Sequence, residues 1–262
     1  MDQAVSPGVA VGIDLVQISR IDASLSQFGQ RFQRRLFTAH EIAYCTQESQ
    51  TAAERFAARF AAKEAVIKLL RPEDGGLGWR AIEVRRAAAG FCELALHDAA
   101  KERAVAAGLL AFSLSMSHEG DYATAVVVAT RAGRPSAEGT RPQPAAPTPA
   151  STAFQRPGQD FWQGEPVVMI EQVRTIIREH GRLTSSFDAL SDESDLYRAG
   201  MTSQASVNVM LALESEFDIE FPDSMLKRSV FASVAAISRA VAELLGSRAE
   251  QYCGTQLSEA AP

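Results

Sequence analysis

T-A-A-E-R-F-A-A-R-F-A-A-K-E-A-V-I-K-L-L, residues 51–70, is the stretch on which the fold turns. It is rich in Ala, free of Gly and Pro, and sets Phe56, Phe60, Ile67 and Leu70 at helical spacings, so a long helix ending before Pro72 is expected. The sequence changes texture on both sides of it. Upstream, V-A-V-G-I-D-L-V-Q-I, residues 9–18, is a β-branched apolar run suited to a buried strand. Downstream, Gly75, Gly76 and Gly78 mark a loop, and strand-like runs follow at residues 79–85, 91–97 and 109–116, with a helix between the last two. A final apolar run at 122–129 completes an α+β pattern.

The second half of the chain reads differently. Residues 166–180, 203–217 and 232–245 are amphipathic helical stretches with almost no strand signal, Gly181 is placed as a C-cap, and Phe221-Pro222-Asp223 breaks the chain before a short helix. This is the pattern of an all-α four-helix bundle. Between the halves, residues 131–163 are rich in Pro and Ala and cannot form a core, so they are expected as a disordered linker. The expected organisation is therefore an α+β domain at 1–130, the linker at 131–163, a helical domain at 164–247 and a flexible tail at 248–262. A length of 262 residues suits two domains.

Composition limits the function classes. A hydrophobic fraction of 46% and a net charge of −6 are those of ordinary globular protein and do not favour a nucleic-acid binder. No apolar run approaches the roughly 20 residues that span a bilayer. The first seven residues lack the basic and apolar regions of a signal peptide, so a cytoplasmic protein is expected. Three well-separated cysteines, Cys45, Cys92 and Cys253, suggest neither a disulfide framework nor a zinc site. Residues 164–262 carry 8 Lys and Arg against 15 Asp and Glu, an acidic excess compatible with an electrostatic partner.

Three groups of residues in the first half suggest chemistry: Asp14 near a strand end, Lys63-Glu64 with Lys68 inside the long helix, and Ser117-His118 between strands. Each also has an ordinary reading, as a turn or cap, a solvated helix face, or a surface histidine. Glu64 and Lys68 nevertheless share a helix face within an apolar segment. A hard cation such as Mg²⁺ takes one or two carboxylates plus phosphate oxygens, so Asp14 and Glu64 brought together would suit a metal-bridged diphosphate, with Lys68 one turn away.

Taken in order, G-I-D (residues 12–14), S-R-I (19–21), R-F-A-A-K-E-A-V-I-K (59–68) and S-H-E-G-D-Y-A (117–123) resemble holo-acyl-carrier-protein synthase, the small phosphopantetheinyl transferases, over residues 8–130. The resemblance implies transfer of 4′-phosphopantetheine from coenzyme A to a carrier serine, releasing adenosine 3′,5′-bisphosphate, at sites between the subunits of a homotrimer. It makes Asp14 and Glu64 the Mg²⁺ pair and, with Lys68, the catalytic group. It places Arg59, Lys63 and His118 on the coenzyme A site, and Arg20 on the carrier-facing surface. Arg31, Arg34 and Arg35, at i, i+3, i+4 spacing, form a second basic cluster suited to an acidic carrier, or an exposed arginine-rich turn. The general base stays unassigned. After Lys68 the family's A-x-G-T-G is replaced by L-L-R-P-E-D-G-G, residues 69–76, where Arg71 is expected as a substitute anion contact.

The second half, above all D-L-Y-R-A-G-M-T-S-Q-A-S-V-N-V-M-L-A-L-E-S-E-F-D-I-E-F-P-D at 195–223, resembles an acyl or peptidyl carrier protein, with Ser203 at the position that carries phosphopantetheine. By residue chemistry alone Ser203 reads as a helix N-cap. Thr202 stands where the family usually has Asp, and Asn208 where a Glu is frequent. Three functions stay open: an enzyme that modifies its own carrier at Ser203, one that acts only on separate carriers beside a docking or regulatory module, and a binding module with an inert first half.

Overall fold

The computed structural model describes residues 8–71, 77–131, 166–184 and 186–258. The expected linker at 131–163 lies almost wholly outside these residues, as do Gly75, Gly76 and the end of the expected tail.

The N-terminal unit is α+β. Strand β1 (Val9–Gln17) leads through helices α1 (Ile18–Phe28), α2 (Gln30–Leu36) and α3 (Ala39–Cys45) into the long helix α4 (Ala52–Leu70). The hairpin β2 (Ile82–Arg86) and β3 (Cys92–Leu96), helix α5 (Asp98–Ala106), and strands β4 (Leu109–Glu119) and β5 (Tyr122–Arg131) follow. The main sheet is antiparallel with order β1-β5-β4, and Gly12 is opposite Val127 and Asp14 opposite Ala125.

Helix α4 is the hub of this unit. Ala57, Ala61, Ala62 and Ala65 have no exposed surface, and their small side chains let the helix backbone settle against the sheet. The closest approach is at Gly12, where a Cβ would lie 2.0 Å from the Ala65 carbonyl oxygen. The expected buried strand is buried on one face only. Gly12 and Val16 face α4, whereas Val9, Val11, Ile13 and Leu15, on the alternate face, are about 60% exposed.

Two expected strand starts also shift. Residues 79–81 form a 3₁₀ turn before β2, and the following strand begins at Cys92. Helices α1 and α3 had no counterpart in the periodicity reading. Thr38 starts α3 with a capping box: its hydroxyl accepts from Glu41 N–H at 3.3 Å and the Glu41 carboxylate accepts from Thr38 N–H at 2.9 Å.

The C-terminal unit is helical, with α6 (Pro166–His180), α7 (Ser203–Phe217) and α8 (Val234–Ser258). Among the described residues the segment between α7 and α8 contributes a 3₁₀ turn at Asp223–Met225 where a fourth helix was expected, and α8 runs past residue 247. Ile177, Leu196, Met210, Leu211, Phe221 and Val241 fill the core. None of the described helices is long and apolar enough to cross a membrane.

Candidate functional site

Strand β1 and helix α4 bring the first three candidates together. Asp14 lies two residues beyond Gly12, on the face turned to α4, and its Oδ1 is 2.6 Å from Lys68 Nζ. The same ammonium donates to the Ile13 carbonyl at 3.1 Å. Lys68 thus bridges to the strand, which the sequence spacing with Glu64 did not anticipate. Glu64, one turn earlier, is buried, and its Oε1 accepts from Trp79 Nε1 at 2.9 Å. Burial pushes both carboxyl groups above their usual range, against hydrogen bonds from Lys68 to Asp14 and from Trp79 and Ser203 to Glu64; the Asp14 charge raises Glu64 further. Two hard oxygen donors, one of them raised by the other's charge, suit a divalent cation. Among the described residues no group of three or more His, Cys, Asp and Glu is gathered as a metal cage, so such a cation would fill its shell with water and ligand oxygens.

The fourth candidate arrives from the other unit. Thr202, in extended backbone, caps α7 by accepting from Ala205 N–H at 3.1 Å. Ser203 is therefore the first helical residue and not the N-cap expected from its chemistry alone. Its hydroxyl is left free of capping, and Ser203 lines the same cavity as Glu64. This cavity, of about 570 Å³, lies between the two units and is lined by Glu64, Lys68 and Arg71 from one side and by Tyr197, Ser203 and Arg228 from the other. Arg71 ends α4 in the left-handed region, φ 47°, and its N–H closes on the Ile67 carbonyl at 3.0 Å. Arg228 stacks 4.2 Å from the Tyr197 ring centroid.

Residues 10–127 match the model of the 4′-phosphopantetheinyl transferase superfamily, and residues 171–241 match that of the phosphopantetheine attachment site. A holo-[acyl-carrier-protein] synthase of Herpetosiphon aurantiacus is 42% identical over 127 residues, 46% of this chain and 97% of that protein. The chain belongs to the holo-[acyl-carrier-protein] synthase family. Its C-terminal unit is similar to an aminoacyl carrier protein of Agrobacterium fabrum, 48% identical over 73 residues, 28% of this chain and 88% of that protein. A crystal structure of the synthase from Neisseria meningitidis aligns at 34% identity and TM-score 0.43, covering 46% of this chain and 96% of that one.

The transferase and carrier domains meet along α1, α2 and α7. Arg31 donates to the Ser215 hydroxyl and lies 3.4 Å from Glu214, which is buried. Arg35 reaches Glu214 at 3.3 Å and the Phe221 carbonyl, with Glu220 and Asp223 at 3.8 and 3.9 Å. Arg34 instead bonds Gln30 of its own helix at 2.9 Å. Arg20 meets the carrier through its backbone carbonyl, which accepts from Gln204 Nε2 at 2.7 Å.

The residues expected at the coenzyme A site lie away from this cavity within one chain. Lys63 is fully buried: its ammonium is 2.8 Å from Glu41 Oε2, 3.0 Å from the Trp79 carbonyl, and bonded to the Ile82 carbonyl. Those three bonds account for its three N–H donors, which turns it from a ligand contact into an internal ion pair. Arg59 is buried with its guanidinium 4.2 Å from the Tyr44 ring centroid, and its Nε has no hydrogen-bond partner. His118 is exposed at the end of β4, 4.0 Å from Glu54. Trp79, Tyr197, Arg228 and Gln204 were not anticipated; a tryptophan directly after the glycine loop was the one local hint.

Proposed function

We propose that this chain transfers 4′-phosphopantetheine from coenzyme A to Ser203 of its own carrier domain. The observation that carries the reading is that Ser203 and Glu64 line one cation-rich cavity between the two units. Coenzyme A is the donor substrate, its diphosphate lying among Lys68, Arg71, Lys227 and Arg228. Asp14 and Glu64 would hold Mg²⁺, which when bound supplies positive charge to the phosphate oxygens.

Ser203 Oγ attacks the β-phosphorus, forming the phosphodiester bond, while the bond from that phosphorus to the bridging oxygen breaks and adenosine 3′,5′-bisphosphate departs. The hydroxyl proton passes to Glu64, the carboxyl group that lines the same cavity. Lys68 neutralises charge growing on the departing phosphate, and Trp79 fixes the Glu64 carboxylate through Oε1. The N-terminus of α7 directs backbone N–H groups at the product phosphodiester.

The outward apolar face of β1, with Val9, Val11, Ile13 and Leu15 each about 60% exposed, supports self-association, and we assign the trimer to it. A site shared between subunits accommodates His118, which is exposed and stands off the cavity in one chain. Cys45 and Cys92 are free thiols, in keeping with a reducing cytoplasm.

Peptide mass analysis after incubation with coenzyme A and Mg²⁺ tests the reading. The phosphopantetheine mass is expected on the peptide containing Ser203 and is lost in Ser203→Ala and Asp14→Ala. An unmodified Ser203 in a chain that modifies separate carriers would establish action in trans alone.

A further inference from the structure

We infer that the transferase domain reads the residue immediately after the acceptor serine and selects a hydrogen-bond-donating carboxamide there. The inference rests on docking of the carrier domain with Ser203 at Glu64. Gln204 is buried, at 6% exposure, and its Nε2 donates to the Arg20 carbonyl at 2.7 Å and to Ser24 Oγ at 2.9 Å. Ser24 has no exposed surface, and its own hydroxyl proton is engaged by the Arg20 carbonyl at 3.0 Å. What α1 offers the carrier is therefore an acceptor-only receptor: one carbonyl oxygen and one hydroxyl lone pair, closed to water.

The chemistry ranks the side chains that fit. A carboxamide supplies both donors. An aliphatic side chain forfeits two hydrogen bonds but leaves no new charge, since the Arg20 carbonyl keeps its Ser24 partner. A carboxylate of the same shape has no donor at all and sets negative charge against two oxygen atoms without water.

Of the ion pairs at the other end of α7, that of Arg31 with Glu214 does not discriminate this way. Arg31 is 49% exposed, and an arginine–carboxylate pair at that exposure accepts many acidic surfaces. Gln204 is also covalently next to Ser203, so holding its amide fixes the register that places Ser203 in the cavity it shares with Glu64. Selectivity and positioning are one contact, and the acceptor class is a carrier whose serine is followed by Gln.

The test uses the full-length chain and the rate at which Ser203 acquires phosphopantetheine, read by intact mass. Gln204→Leu is expected to slow transfer by about tenfold, the equivalent of about 1.4 kcal/mol. Gln204→Glu slows it further, by about 100-fold or more, the order set by the cost of a buried unpaired charge. Ser24→Ala, on the other domain, produces a smaller loss, and adding it to Gln204→Leu causes no further loss, because both remove one contact. The coenzyme A concentration for half-maximal rate stays unchanged throughout, and melting temperatures separate the effect from misfolding. Wild-type rates in Gln204→Leu and Gln204→Glu, or fully additive losses with Ser24→Ala, overturn the inference while self-modification stands. Absence of phosphopantetheine on Ser203 in the wild-type chain overturns both.

Discussion

Replacing Gly12 with Ala should disable the enzyme more than it unfolds it. The added Cβ would lie 2.0 Å from the Ala65 carbonyl oxygen, 2.9 Å from its carbon and 3.0 Å from Leu69 Cβ. The first distance is roughly 1.4 Å inside ordinary contact, and the obstacle is mid-helix backbone, which cannot rotate away as a side chain does. Either β1 bows or α4 moves outward by on the order of 1 Å, at an overpacking cost of about 1–3 kcal/mol. Glu64 and Lys68 flank Ala65 on that helix, so the same displacement pulls them from Asp14 and opens the 2.6 Å Lys68–Asp14 contact. A misplacement of about 1 Å in a reacting constellation costs on the order of 100-fold in rate. Gly8→Ala is the control, because its Cβ would meet nothing nearer than Arg131 at 3.8 Å. Thermal unfolding and transfer rate at saturating coenzyme A are measured on both variants. Equal rates for Gly12→Ala and wild type would refute the argument that this close approach sets the site.

Other perturbations test separate parts of the structure. Lys63→Ala leaves the Glu41 carboxylate buried without its cation and should cost about 3–5 kcal/mol in urea unfolding; a loss below about 1 kcal/mol would mean the pair is not sealed from water. Burial alone would raise the Glu83 carboxyl, but bonds from Arg85, His97 and Thr38 bring it down to about 2 from 4.5. Its stabilisation is thus complete above pH 4.5 and lost as pH falls toward 2, so the wild-type chain should show a slope of stability in that window that Glu83→Gln lacks. Arg35→Ala strips Glu214 of a partner and should weaken docking by about 2 kcal/mol or more, seen as slower Ser203 modification at unchanged coenzyme A affinity. Arg71→Ala should raise the coenzyme A concentration for half-maximal rate; an unchanged value removes Arg71 from the diphosphate site.

The parts of this protein legible in its sequence are those fixed by local pattern. Strand β1, the alanine-rich α4 and the helices at 166–180 and 203–217 follow from period and composition, whereas the exposed face of β1 does not. Asp14, Glu64 and Lys68 could be grouped by the oxygen-ligand chemistry of a hard cation and by the order of the motifs that carry them. Lys63 was misplaced because α4 is enclosed almost all round, so a lysine that reads as solvated or ligand-lining has to find an anion indoors, and Glu41 is 22 residues away in sequence. Ser203 reads as a cap until Thr202 is seen taking that role, a difference of one residue in backbone geometry. The Gln204–Ser24 contact joins residues 180 apart, and neither carries a local signal of the other.

The most direct measurement of self-modification is the rate of phosphopantetheine incorporation at Ser203 in the full chain, followed through a dilution series with saturating coenzyme A and Mg²⁺. If the carrier serine is presented to Glu64 within the same assembly, the rate constant is independent of protein concentration, and Glu64→Gln abolishes it. A rate constant that rises in proportion to protein concentration, or label found on no Ser203 peptide, contradicts the account.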